Sequence, residues 1–196
     1  MFCDNIVSRE VRDKLSQFCA LLIKWNKVIN LVSTNSLEDL ERRHILDSLQ
    51  LLRYIPKQKV SVVDLGSGAG FPGVVLSICG IAKVTLIESD CRKAAFLLQA
   101  AKLSSGDVEV INDRIENVAN LSCDVITSRA FTDLGSIFTF AKNIQVNGKY
   151  LLHKGKSCEK EIYEARKHWL FNLQVHGSIT SEEGKILEIT DVAPIL

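Results

Sequence analysis

From Ser8 onward, Val11, Leu15, Phe18, Leu22, Trp25 and Ile29 recur at alternating steps of four and three. That spacing lines one side of a helix with apolar side chains, and such a side has to be covered. Leu40, Ile45, Leu49 and Leu52 draw a second apolar face that stops at Pro56, and Ser36 followed by Asp39 reads as a capping box with the shorter acid. A helical extension is therefore expected over residues 1–57, packed onto a core over 58–196, the two forming one structural unit.

After Lys59 the texture changes. Val60 to Leu65 is a short β-branched run that ends in glycines, and further strands are expected at Lys83 to Glu88, Val108 to Asn112, Cys123 to Ser128 and Lys149 to His153. Helices lie between them. The clearest runs from Asp90 to Leu103, with Asp90 as its cap and Ala94, Leu97, Leu98 and Ala101 as its inner face. Two last apolar runs, Leu170 to His176 and Lys185 to Thr190, are joined through Glu183 and Gly184 and are expected to pair antiparallel at one edge. Strands alternating with crossover helices predict an α/β fold, a doubly wound and mostly parallel seven-stranded sheet. Ligands bind such a sheet at the carboxyl ends of its strands.

The 196 residues carry 24 Lys and Arg against 23 Asp and Glu, a net charge of +1. That total excludes a protein that coats nucleic acid by bulk charge, so any basic contact must be local. The six cysteines form no C-x-x-C pair and are expected to be reduced core residues of a cytoplasmic protein. Charge spread from Asp4 to Lys14 stands where a secretory signal would need an apolar stretch, so no export is expected. The longest uncharged run, Leu65 to Ala82, holds five of the eleven glycines and Pro72, which makes it a loop rather than a membrane span.

Within that run, Asp64-Leu65-Gly66-Ser67-Gly68-Ala69-Gly70-Phe71-Pro72-Gly73 follows the first strand and opens a helix. Read from Gly68, the glycines satisfy G-x-G-x-x-G, the fingerprint of a backbone that closely approaches a nucleotide. Both NAD and S-adenosylmethionine are compatible with it. A carboxylate from Asp64 at the strand end would repel a pyrophosphate and suit the ammonium and sulfonium of S-adenosylmethionine. Glu88 ends the second strand 22 positions after Gly66, where an acid takes the two ribose hydroxyls of either cofactor.

Four segments resemble a known family: Leu22-Ile23-Lys24-Trp25-Asn26-Lys27-Val28-Ile29-Asn30-Leu31, Arg43-His44-Ile45-Leu46-Asp47-Ser48, the glycine loop, and Ser128-Arg129-Ala130-Phe131. Their order and spacing are similar to those of the bacterial small-subunit ribosomal RNA guanine-7 methyltransferases, first called glucose-inhibited division protein B. The resemblance implies a class I, Rossmann-like methyltransferase core. It also implies S-adenosylmethionine as donor and a guanine of 16S ribosomal RNA, methylated at N7, as acceptor. The family's cofactor positions fall on Gly66, Phe71, Ile115, Glu116 and Arg129. Gly68, Asp64 and Glu88 are added from the physical argument.

The chemistry fits a ring nitrogen. N7 attacks with a lone pair that carries no proton, so alignment suffices and no general base is required. Enzymes that methylate exocyclic amines usually place an Asn/Asp-Pro-Pro-aromatic turn after the fourth strand, where this chain has Ser128-Arg129-Ala130-Phe131. Methylation at pyrimidine carbon needs a cysteine nucleophile there, whereas Cys123 begins the strand. Phe131 is a candidate to stack on the target base, Arg129 to meet the cofactor carboxylate or an RNA phosphate, and Lys154 to contact substrate. Arg92 and Lys93 are cations at a helix start, a place for a phosphate or cofactor contact. His44 and Asp47 share a helix face and are expected to bond each other, and no metal site is expected. The implied partner is 16S ribosomal RNA in the small subunit or an assembly intermediate, met by a monomer. The alternatives are a methyltransferase acting on a small molecule and a non-catalytic NAD- or nucleotide-binding module.

Overall fold

The computed structural model describes residues 7–56 and 59–195; Cys3, Asp4 and the expected boundary at 57/58 lie outside them. Seven strands form one sheet: β1 (Ser61–Leu65), β2 (Lys83–Ile87), β3 (Asp107–Ile111), β4 (Leu121–Arg129), β5 (Ile144–Lys154), β6 (Trp169–Gly177) and β7 (Lys185–Pro194). Their order is β3-β2-β1-β4-β5-β7-β6, parallel except where β7 pairs with β5 and β6. The expected strands and the antiparallel edge pair are thus present, most of them a residue or more longer.

Side chains alternate across the sheet as strand geometry requires. Val62, Leu86, Val125, Leu151 and Ile186 enter one apolar cluster, and their neighbours Val63, Ile87, Ile126, Leu152 and Leu187 enter the other. The chain order reverses between β1 and β4, and a crevice opens at the carboxyl ends of strands about such a switch point.

The apolar stripe near the N-terminus is covered as its pattern demands. Helix α1 (Arg9–Asn26) is capped by Ser8, whose side chain accepts from Val11 N, and buries Leu15, Phe18 and Leu22. Phe18 meets the rings of Phe71 and Phe96 at 5.4 and 6.2 Å, and Trp25 meets Phe96 at 5.9 Å. Asn26 then shapes the exit from the helix. Its Oδ1 accepts from Leu31 N and Val32 N at 2.8 and 2.9 Å, while its Nδ2 donates to Val32 O.

Three local expectations are corrected. Ser36 caps nothing: it lies inside the short helix α2 (Thr34–Leu37), which starts after Ser33, and its hydroxyl pairs with that of Ser33. The segment that follows is composite, π-helical over Glu41–Leu46, α-helical in α3 (Asp47–Leu49) and 3-10 over Gln50–Arg53. Pro72 stands immediately before helix α4 (Gly73–Ile78). Helix α5 (Cys91–Ala100) has Asp90 as its cap, but its inner face is Ala94, Phe96, Leu97 and Ala100, and Leu98 is 56% exposed. A single Leu on the outer face costs little, so sequence pattern alone did not separate Leu98 from Phe96. Helices α6 (Leu134–Phe140) and α7 (Cys158–Ala165) follow β4 and β5.

At Gly73, helix α4 packs closely on the sheet. A Cβ there would lie 2.4 Å from Leu86 Cδ2 and 2.8 Å from Asp64 Oδ2. Gly73→Ala should therefore lower stability by about 1–3 kcal/mol, read as a fall in urea midpoint at unchanged m-value. An unchanged midpoint would show that β2 and α4 can separate without cost.

Candidate active site: two adjoining cavities

The loop after β1 turns on glycines in the left-handed region, with φ of +64° at Gly66, +52° at Gly68 and +85° at Gly70. Only glycine enters that region without strain. At Gly66 space matters too, since a Cβ would lie 2.4 Å from the Phe131 ring. At Gly68 nothing but Gly66 O stands within 4 Å of a Cβ, at 3.7 Å, so bare backbone is open there. Glu88 anchors the loop from just past the end of β2. Its Oε2 accepts from Gly68 N and its Oε1 from Asp90 N, both at 2.8 Å.

Gly66, Gly68, Phe71, Glu88, Ile115 and Glu116 line a cavity of about 640 Å³. Arg129, Phe131, His44, Ser33 and Lys93 line the same cavity. A second cavity of about 620 Å³ adjoins it and shares Arg129, Ala130, Phe131 and Thr132. Lys154 lines this second space and not the first.

Arg129 is the shared post. It leaves the carboxyl end of β4, and its side chain is only 16% exposed. One nitrogen donates to Arg43 O at 3.0 Å and to Asp47 Oδ2 at 3.3 Å. The other lies 2.6 Å from His44 Nδ1, and the guanidinium stands 4.9 Å from the centre of the Phe71 ring, on which His44 also stacks. Burial pulls Arg129 below its ordinary pKa, against which the Asp47 charge acts. Burial, reinforced by the Arg129 charge, pushes His44 down to about 4, so its ring is neutral near pH 7.

Asp47 binds in several directions. Besides Arg129, its Oδ1 accepts from Gln50 Nε2 and Thr180 Oγ1, both at 2.7 Å, and its carbonyl takes His153 Nε2 at 2.8 Å. The direct His44–Asp47 bond expected from their spacing is absent; Arg129 stands between them as common partner. Helix spacing could bring the pair to one face, but only tertiary packing could insert a third residue.

The sequence reading of Asp64 needs the largest correction. Its carboxyl is 0% exposed and lies under the loop, with Oδ1 accepting from Thr127 Oγ1 at 2.8 Å and Oδ2 from Gly73 N at 3.3 Å. It is not among the residues that line the cavity. Lys154 is also engaged already, ion-paired with Glu161 at 2.7 Å and donating to Thr132 O. Phe131 is 39% exposed, covering Gly66 and meeting Phe140 edge-on. Arg92 pairs with its own cap residue Asp90 at 3.0 Å, while Lys93 reaches the first cavity. Cys123 is buried, and that burial pushes its thiol up to about 12, far from a nucleophile. Among the described residues no group of three or more His, Cys, Asp or Glu is placed to hold a metal. His44 and Ser33 were not expected in the wall; the Arg43–Ser48 motif was the signal for the first.

The family model for rRNA small subunit methyltransferase G, GidB, matches residues 11–190. The chain belongs to this family. It is 53% identical over 190 residues to the ribosomal RNA small subunit methyltransferase G of Rickettsia bellii, covering 97% of this chain and 98% of that one. Among solved structures, a TehB-like SAM-dependent methyltransferase from Corynebacterium glutamicum matches with TM-score 0.55 at 12% identity, covering 90% of this chain and 99% of that one. M. jannaschii TYW2 in complex with AdoMet matches with TM-score 0.56 at 14% identity, over 86% and 80%. At such identities the likeness speaks for the fold, which is that of class I S-adenosylmethionine-dependent methyltransferases.

Burial pushes Asp64 up to about 6 from an ordinary 3.8. The folded protein thus holds this proton more tightly than the unfolded chain does, so ionisation opposes folding as pH rises through roughly 4 to 6. Asp64→Asn removes the titration. Relative to wild type, the variant should gain stability across that interval and level off above it, measured by urea unfolding at a series of pH values. A difference that stays flat with pH would contradict the burial of this carboxyl.

Proposed function

We propose that this protein transfers a methyl group from S-adenosylmethionine to N7 of a guanine in the 16S ribosomal RNA of the small subunit or an assembly intermediate. It does so in the cytoplasm, as a monomer whose helical extension, 1–57, works as one unit with the core, 58–196. The observation that carries the reading is the single cavity in which Gly66, Gly68, Phe71, Glu88, Ile115, Glu116 and Arg129 meet. These residues suit the cofactor. Open backbone at Gly68 admits close approach, and the Glu88 carboxylate, fixed by two backbone donors, suits a pair of ribose hydroxyls.

When bound, S-adenosylmethionine supplies an electrophilic methyl group. The chain's own residues then have to orient the acceptor and keep water out, because N7 needs no base. Phe131, at the rim of both cavities, is placed to stack on a presented base. With Asp64 withdrawn from the cavity, preference for S-adenosylmethionine over NAD rests on the family match.

Incubation with methyl-labelled S-adenosylmethionine and small subunits lacking the modification should place label in 7-methylguanosine of the digested 16S RNA. Cofactor binding without transfer to any ribosomal particle would favour the small-molecule acceptor, and preferential binding of NAD would favour the nucleotide-binding module. Glu88→Ala should weaken S-adenosylmethionine binding at least about tenfold in calorimetry, the loss expected for a charged hydrogen-bonding group. Unchanged affinity would remove Glu88 from the site.

A further inference from the structure

We infer that Asn26 is a positioning residue for cofactor binding: its side-chain amide holds the loop 27–33 in place as a wall of the first cavity. The inference rests on the reading of that cavity as the S-adenosylmethionine site. It gives a role to the segment Trp25-Asn26-Lys27-Val28-Ile29-Asn30-Leu31, whose residues do no chemistry themselves.

Leu31, Val32 and Ser33 line the cavity, and none of them belongs to a helix or strand. The backbone of the first two is bonded by Asn26 instead. Its Oδ1 accepts from Leu31 N at 2.8 Å and Val32 N at 2.9 Å, and its Nδ2 donates to Val32 O at 3.1 Å. An N–H only donates and a carbonyl only accepts, so the three bonds fix which way the amide faces. Alanine would make none of them, and aspartate only the two at Leu31 N and Val32 N. Asn26 does not line the cavity, so it acts through the loop rather than by touching the cofactor.

The loop is held in register with other cavity-lining residues. Trp25, beside Asn26 on α1, meets the Phe96 ring at 5.9 Å, and its Nε1 donates to Gln99 Oε1 at 3.3 Å. Both partners belong to α5, the helix that contributes Lys93 to the same cavity. Farther back on α1, Phe18 meets the ring of Phe71, another lining residue. Where α1 ends, Val28 N and Ile29 N donate to Trp25 O at 2.8 and 3.0 Å. Val28 is then 81% exposed, while Ile29 is buried. Ile29 thus pins the middle of the loop to the core, and Asn26 pins its far end.

A wall made of irregular backbone has to be ordered before a ligand can pack on it, and ordering upon binding lowers affinity. Here the three bonds order the wall in advance. Such preorganisation strengthens cofactor binding in the ground state and the transition state alike, so its loss raises KM for the cofactor and leaves kcat nearly unchanged.

The test compares wild type, Asn26→Ala and Asn26→Asp, with urea unfolding to show that each is folded. S-adenosylmethionine affinity is measured by calorimetry and amide exchange at Leu31 and Val32 by NMR. Methyl transfer to small subunits lacking the modification gives kcat at saturating cofactor. Asn26→Ala should lose about tenfold in cofactor affinity, exchange both amides faster, and keep kcat within about twofold of wild type. Asn26→Asp, which retains both acceptor bonds, should recover part of that affinity. If the alanine variant does not fold, the aspartate variant carries the test alone, with a smaller loss expected and unchanged affinity overturning the inference. Unchanged affinity in Asn26→Ala, a fall in kcat with affinity intact, or an aspartate variant no better than the alanine one also overturns it. Wild-type protein that does not bind S-adenosylmethionine overturns the reading of the cavity, and this inference with it.

Discussion

The contact between Asp47 and Arg129 is the constraint on which both cavities depend. Asp47 belongs to the helical layer that precedes the sheet, and Arg129 ends the strand beside the switch point. Their side chains are 14% and 16% exposed, so each charge would be poorly solvated without the other. The same carboxylate also fixes Thr180 in the turn between β6 and β7, and the Asp47 carbonyl fixes His153 at the end of β5. One aspartate thus ties an N-terminal helix to the carboxyl ends of two parallel strands and to the antiparallel edge. The helical extension is in this way part of the cavity walls rather than an appendage.

Around that post the backbone is unusual where function is proposed. Ala130, between Arg129 and Phe131, has φ of +51°, a conformation that costs a non-glycine residue about 1 kcal/mol or more. Its neighbours meet different partners: Arg129 meets Asp47, His44 and Phe71, while the Phe131 ring covers Gly66. The bare Cα of Gly66 is what permits that cover. Loop and turn are therefore mutually dependent, and both cavities take their shared wall from them.

Much of the fold was legible because its signals are local. The α1 stripe, the β-branched runs and the Asp90 cap report burial and capping through nearest neighbours along one element. The glycine loop was legible because left-handed turns admit few residues, and Glu88 because strand length fixes its distance from that loop. What escaped notice depends on pairs far apart in sequence. Asp64 looked like a ligand contact from its position at a strand end, yet packing buried it under α4 against Thr127 and Gly73. Lys154 looked like a free cation until Glu161 was brought beside it. Arg129 stands between His44 and Asp47, and the second cavity requires β4, β5 and the β6–β7 turn to be assembled before it exists.

A double-mutant cycle on Asp47→Asn and Arg129→Gln, followed by urea unfolding, tests most directly whether this contact organises the walls. The structure predicts that the two substitutions couple by about 1–3 kcal/mol, the second costing little once the first is made. Strictly additive losses would mean that the helical layer and the strand ends are held together by something else.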